Sequence, residues 1–220
     1  MAKAIVLLSG GIDSATVAAI ARRDGFEVCA ITFDYGQRHA YEVGASVKVA
    51  KSLGILTHTI CRVDLRAIGG SSLTSNMEVP KGRTVEEMAH GIPSTYVPAR
   101  NTIFLSIALG WAEVMGASDI YIGANVSDYA GYPDCRPEYF KAFQHLAGLA
   151  TKVGVDGGRK MRIHAPLSGM SKGEVVRLGK SLGVDYSATS SCYDPDEGGS
   201  PCGCCDSCQL RSFAFAEAGC

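Results

Sequence analysis

The sequence predicts a doubly wound α/β domain built on a parallel sheet, and three observations predict it. Short β-rich apolar runs alternate with helical patterns through the first half of the chain. Gly25 and Gly54 stand just past the expected helices, where a helix C-terminus favours glycine. A glycine turn, Ser9-Gly10-Gly11, joins the first apolar run to the first helical one. Doubly wound sheets bind ligands at such turns, outside the carboxyl ends of the strands.

The elements follow in order. Residues 4–8 (AIVLL), 28–33 (VCAITF) and 57–63 (THTICRV) read as buried parallel strands, with helices over 14–23 and 39–53 between them. Residues 69–100 break the alternation with Pro80, Pro93 and Pro98, and read as an insertion over the active face. A helix follows over 101–115, with Ile103, Phe104, Ile107, Trp111 and Val114 on one stripe and Leu105, Leu109 and Met115 off it. A helix apolar nearly all round is buried, in a core or in a subunit interface. Strands over 119–125 and 161–167 flank a helix over 137–151. Ser171 with Glu174 three residues on forms a capping box that starts another helix. The main domain is expected over residues 1–184, with a Cys/Gly/Pro-rich tail over 185–220.

Composition narrows the class. The chain has 220 residues, 46% hydrophobic and 20% charged, which suits one α/β domain with a real core. The net charge of −1, with no basic stripe, argues against an extended nucleic-acid surface. The apolar run in MAKAIVLLSGG is too short for a signal peptide, and no window reaches the ~18 apolar residues of a spanning helix. A cytoplasmic protein is expected.

Nine cysteines then need a purpose. Cys29, Cys61 and Cys135 are scattered, whereas six thiols lie within residues 192–220. Clustered thiols in a reducing compartment point to metal rather than disulfides. Cys192, Cys202, Cys205 and Cys208 are separated by nine, two and two residues. Four thiolates so spaced suit a closed, structural Zn2+ site, with an iron–sulfur cluster as the alternative. Cys204 lies between two of these ligands, and Cys220 has no comparable spacing.

The loop SGGIDS carries the chemistry. Its glycines let the backbone approach a ligand, and the helix that follows offers free N–H groups and a positive dipole end to a phosphate. Ser9 and Ser14 add hydroxyls and Thr16 extends the set, while Asp13 either caps the helix or helps hold a divalent cation. The lysine of a Walker loop is absent. Such a loop cradles pyrophosphate as a leaving group.

On these residues the chain resembles the N-type ATP pyrophosphatases, the PP-loop enzymes with an adenine nucleotide alpha hydrolase-like fold. Further stretches extend the likeness: FDYGQRHAYE, VPARNTIFLSIA, GANVSDYAGYPDCRPEYF, PLSGMSKGEVV and SCYDPD followed by CGCCDSCQLR. With them the chain is similar along nearly its whole length to the 7-cyano-7-deazaguanine synthase family. The resemblance implies a ligase that converts 7-carboxy-7-deazaguanine and ammonia to the nitrile in queuosine precursor biosynthesis. Two ATP would yield two AMP and two pyrophosphates through an acyl-adenylate, an amide and an adenylated amide, with Mg2+ accompanying ATP and a homodimer as the assembly. No span of the chain is left for a glutaminase, so ammonia must come from outside. The rival reading is a tRNA-modifying, thiolase-like PP-loop enzyme, against which stand the absence of a basic tail and the commitment of the four spaced thiols to metal.

The candidate site residues are an ATP loop and a set of contacts around it. The loop comprises Leu8, Ser9, Gly10, Gly11 and Ile12, continuing through Asp13, Ser14, Ala15, Thr16, Val17 and Ala18. Lys172 and Arg100 are the expected phosphate cations, with a solvated lysine and a structural arginine as their alternatives. For the deazaguanine, Asp134 or Asp128 would accept from the base, Tyr132 or Tyr129 would stack, and Arg136 would pair with the carboxylate. Asp34 would meet the ribose or adenine, or else cap a turn.

Overall fold

A computed structural model describes residues 1–38, 41–88, 90–125, 131–156 and 160–220. Strands β1 (Lys3–Leu7), β2 (Glu27–Asp34), β3 (Thr57–Arg62), β4 (Asp119–Tyr121) and β5 (Arg162–His164) form one sheet in the order β3-β2-β1-β4-β5. Every pairing is parallel. The chain winds outward from β1 through β2 to β3, then returns to the other side of β1 with β4. The order therefore reverses at the carboxyl ends of β1 and β4, where a parallel sheet leaves a crevice.

Alternation along the strands sends side chains to two cores. Ala4 and Val6 of β1 and Val28 and Ala30 of β2 face α1 (Ile12–Arg23), α2 (Tyr41–Ser52) and α7 (Lys172–Ser181). Ile5 and Leu7 with Cys29, Ile31 and Phe33 face α4 (Arg100–Met115) and α5 (Pro137–Ala150). Phe33 and Phe104 stack with ring centroids 4.0 Å apart, clamping α4 to the sheet. Burying each large aliphatic or aromatic residue contributes about 1.5–3 kcal/mol.

Three expectations need correction. The buried face of α4 is Asn101, Phe104, Leu105, Ala108, Leu109 and Ala112. Ile103, Ile107 and Trp111 are only half-buried and Val114 is exposed, because the small Ala108 and Ala112 let the helix lie close to the sheet. The fourth and fifth strands are three residues long, since the chain leaves the sheet after Ile122 to bring Gly123 against Asp13 and Ser14. The tail also contains a helix, α8 (Asp206–Ala218), whose apolar residues are spread around its axis and leave no stripe in the sequence.

α8 packs against α7, so the tail is part of the same body. The capping box is present: Ser171 Oγ accepts from Glu174 N, and the Glu174 carboxylate accepts from Ser171 N at 2.7 Å. Behind α7, Tyr186 Oη lies 2.7 Å from Thr16 Oγ1 and joins α1, α7 and the start of the tail. Gly179 makes room for this bond, because a Cβ there would fall 1.8 Å from Tyr186 Oη. Gly179→Ala should therefore destabilise the fold by about 2 kcal/mol and lower Tm by roughly 4–8 °C. A thermal scan matching the parent chain would show that the α1–α7 contact is looser than described.

Candidate functional site

The crevice at the strand-order reversal opens into a cleft of about 590 Å3. Its floor is the end of the sheet and its first wall is the SGGIDS loop. Gly10 has φ +89°, and a Cβ there would lie 2.6 Å from both Glu42 O and Ser46 N. Only glycine fits, so the loop rests directly on the α2 backbone. At the N-cap of α1, Gly11 makes no side-chain bond to the first turn, which leaves those N–H groups for a ligand. Ser14 Oγ accepts from Gly10 N at 3.2 Å and from Ser9 Oγ at 3.1 Å, which stiffens the loop.

Asp13 is the junction of the site. Its Oδ2 accepts Lys172 Nζ at 2.6 Å and Asn125 Nδ2 at 3.0 Å, while Oδ1 is buried without a partner among the described residues. That orphaned oxygen is a ready acceptor for a cation or a ligand donor. Lys172, at the first position of α7, is thereby held at the mouth of the loop.

Of the expected ATP residues, Leu8, Ser9, Gly11, Ile12, Asp13 and Ser14 line the cleft. Gly10 shapes it from beneath. Ala15, Thr16, Val17 and Ala18 are fully buried and back the loop from within α1. Thr16 in particular does not extend the hydroxyl set, because Oγ1 is held by Ile12 O at 2.9 Å and by Tyr186.

Arg100, Tyr132 and Lys172 all line the cleft. The Arg100 guanidinium lies 6.0 Å above the Tyr35 ring, and Ala99 before it adopts the left-handed φ of 51°. Holding a non-glycine residue there costs about 1–2 kcal/mol and turns the start of α4 toward the cleft. Asp134 and Arg136 do not line it. Asp134 Oδ2 instead accepts Asn101 N at 2.9 Å and caps α4, and burial pushes its carboxyl pKa upward. Arg136 is exposed and donates to Pro133 O. Asp34 also lies away from the cleft, 3.7 Å from Arg62. Asp128 and Tyr129 lie outside the described residues.

Several cleft residues were not foreseen. Tyr35, Gln37 and Glu42 come from the segment after β2, a stretch that carries the resemblance and lies at a strand's carboxyl end but was given no role. Burial pushes the Glu42 carboxyl up to about 7, with Arg100 pulling the other way, and pushes the Tyr35 phenol up to about 12. From the insertion come Arg83, then Val85 and Met88 of the short helix α3 (Val85–Met88), and Pro93, and from the tail Tyr193, Asp206, Leu210 and Arg211. Insertion and tail are sewn together. Arg83 pairs with Asp206, Lys81 Nζ lies 2.7 Å from Asp194, and Gly82 N donates to Cys204 O at 2.8 Å.

Beside that seam, one sulfur from each of Cys192, Cys202, Cys205 and Cys208 lies within 4.8 Å of the others, so the four can hold one metal ion. Backbone amides of Asp194 and Cys202 donate to Cys192 Sγ at 3.3 and 3.2 Å, which favours the thiolate that a metal needs. Cys204 is not in this group, its carbonyl facing the insertion. The thiol cluster thus braces the wall of the cleft formed by Tyr193 and Asp206.

Comparison with known proteins agrees with this geometry. The family model described as "Queuosine biosynthesis protein QueC" matches residues 3–219. Curated proteins named 7-cyano-7-deazaguanine synthase include one from Solidesulfovibrio magneticus, 59% identical over 99% of this chain and 92% of the relative. Another, from Paramagnetospirillum magneticum, is 60% identical over 100% of this chain and 96% of the relative. Among solved structures, an NMN synthetase from Francisella tularensis has a TM-score of 0.53 at 16% identity, covering 99% of this chain and 77% of that one. A 4-thiouridine synthetase in complex with RNA and ATP has a TM-score of 0.51 at 20% identity, covering 99% and 50%. These two share the fold. The chain belongs to the QueC family.

The placement of the thiols predicts different outcomes for adjacent cysteines. Metal analysis of purified protein should give about one ion per chain, unchanged in Cys204→Ser. Cys205→Ser should lose the ion and several degrees of Tm, as expected when a closed four-ligand site loses one thiolate. Retention of a full ion by Cys205→Ser would move the ligand set.

Proposed function

We propose that the chain is an ATP-dependent 7-cyano-7-deazaguanine synthase that makes the nitrile from 7-carboxy-7-deazaguanine and ammonia. The observation that carries this reading is its identity of 55–60% along about 99% of the chain to synthases of that name, which spans both the loop and the cysteine tail. A carboxylate is a poor electrophile, so its oxygen first attacks the α-phosphorus of ATP and pyrophosphate leaves. Ammonia then displaces AMP to give the amide. The amide oxygen is adenylated in turn, and loss of the second AMP leaves C≡N.

Both halves call for the same apparatus. The N–H groups at the start of α1, with Ser9 and Ser14, would bind the departing pyrophosphate. Lys172 and Arg100 would offset charge on the phosphates, and their preorganised positions matter most in a cleft that excludes water. Tyr132 is the stacking candidate for the base that the cleft supports. Mg2+ would supply charge neutralisation to ATP, and the buried, unpartnered Asp13 Oδ1 fits it. Zn2+ suits the four-thiolate set and would serve structurally, the role in which all four positions are filled by protein.

In this reading residues 1–184 are the catalytic domain and 185–220 its zinc-bound tail. The protein would work in the cytoplasm on small molecules, without nucleic acid. A homodimer is supported by the exposed Val114, Leu149 and Val155, on α4, α5 and the short helix α6 (Lys152–Val155). Lys152 N donates to Glu113 Oε1 at 2.7 Å, which sets α6 beside the end of α4.

Mass spectrometry of a reaction with Mg-ATP, ammonium and 7-carboxy-7-deazaguanine tests the reading. The nitrile with two AMP per turnover is the expected product; absence of substrate-dependent AMP would sink it. Lys172→Ala should lower kcat/KM by about 10²–10³-fold, the usual effect of deleting one charge-stabilising donor. An unchanged value would return Lys172 to a purely structural pairing with Asp13.

A further inference from the structure

We propose that Glu42 is the proton acceptor for the substrate nitrogen, a role that rests on the synthase reading above. Its carboxylate takes, one at a time and with release to solvent between steps, the proton that ammonium must shed before it attacks and later the N–H protons lost as the amide becomes a nitrile.

The chemistry demands such a group. In the first half, an N–H bond of ammonium breaks toward the base and the freed lone pair forms a C–N bond to the acyl carbon. The C–O bond to AMP then breaks, AMP leaves with the electron pair, and a further proton leaves the nitrogen. In the second half, the adenylated amide loses two N–H protons. O-adenylation has already drawn the nitrogen lone pair into a C=N bond, so one of the freed N–H pairs becomes the nitrogen lone pair and the other the second C–N π bond as the C–O bond breaks toward AMP. Neither half uses an oxidant or reductant, but each sheds protons from nitrogen inside a cleft that must exclude water from an acyl-adenylate.

Few residues can take those protons. Among the described residues no histidine lines the cleft, and its lining carboxylates are Asp13, Asp206 and Glu42. Asp13 Oδ2 is committed to Lys172 and Asn125 and its Oδ1 is the oxygen suited to Mg2+, while Asp206 pairs with Arg83. Glu42, by contrast, makes no side-chain hydrogen bond or ion pair among the described residues. It is also well sited. Its carbonyl oxygen lies against Gly10, so the residue is anchored on the phosphate loop, while its side chain faces Arg100 from α4 and Tyr35 from the segment after β2. A carboxyl held near 7 by burial gives and takes a proton readily at neutral pH, whereas the Tyr35 phenol stays protonated there.

The test separates proton transfer from adenylation. ATP–pyrophosphate exchange that depends on 7-carboxy-7-deazaguanine reports adenylation alone, and nitrile formation from the preformed amide reports the second half without ammonia. Glu42→Gln keeps the shape of the side chain but cannot accept a proton. It is expected to retain exchange within about threefold while nitrile formation falls by about 100-fold or more, from the acid and from the amide alike. Glu42→Asp should recover part of the lost rate. Nitrile formation by Glu42→Gln at the parent rate would overturn the role, as would an equal fall in exchange and nitrile formation. If the parent chain itself shows neither exchange nor nitrile, the synthase reading fails instead.

Discussion

One carboxylate sets the geometry of the site. Asp13 gathers Lys172 from α7 and Asn125 from the chain beyond β4 onto the first turn of α1, so three elements meet at one carboxylate oxygen. Removing one partner of a buried pair costs about 3–5 kcal/mol, and with about a fifth of each side chain still exposed this one falls toward the lower end. Around that point the other contacts follow. The sheet order leaves a crevice there, Gly123 lets the strand end approach Asp13, and Gly10 lets the loop settle on α2.

Much of this was legible before any coordinates. Strand and helix alternation gave the winding of the sheet, because buried parallel strands and helix-ending glycines leave strong local marks. The four thiols were identified by spacing alone, since a metal knuckle is a local motif. The capping box of α7 was equally local. What escaped was set by packing. Asp134 looked like a ligand for a base but caps α4, and no pattern in YPDCR distinguishes the two. Thr16 looked like a phosphate contact until Tyr186, far along the chain, took its hydroxyl. α8 went unseen because its apolar residues follow no stripe, and Arg83 because nothing in the insertion marks the side chain that would turn inward.

The cysteine cluster has a role beyond holding a tail together. Through Lys81, Gly82 and Arg83 the insertion leans on Asp194, Cys204 and Asp206, residues next to or between the ligands. A surface excursion with little core of its own is thereby fastened to a rigid knuckle. That explains how a proline-interrupted segment contributes a defined wall to the cleft.

The order in which the chain is made gives these contacts a further meaning. Asp13 meets Lys172 across 159 residues, Thr16 meets Tyr186 across 170, and Arg83 meets Asp206 across 123. A ribosome delivers the phosphate loop early and its partners late, so the nascent domain carries half a binding site through most of its synthesis. Pairings at such separation form slowly, after the loop-closure entropy has been met. The cleft is completed only once the segment bearing the thiols, which supplies Tyr193, Asp206, Leu210 and Arg211 to its wall, has emerged and docked.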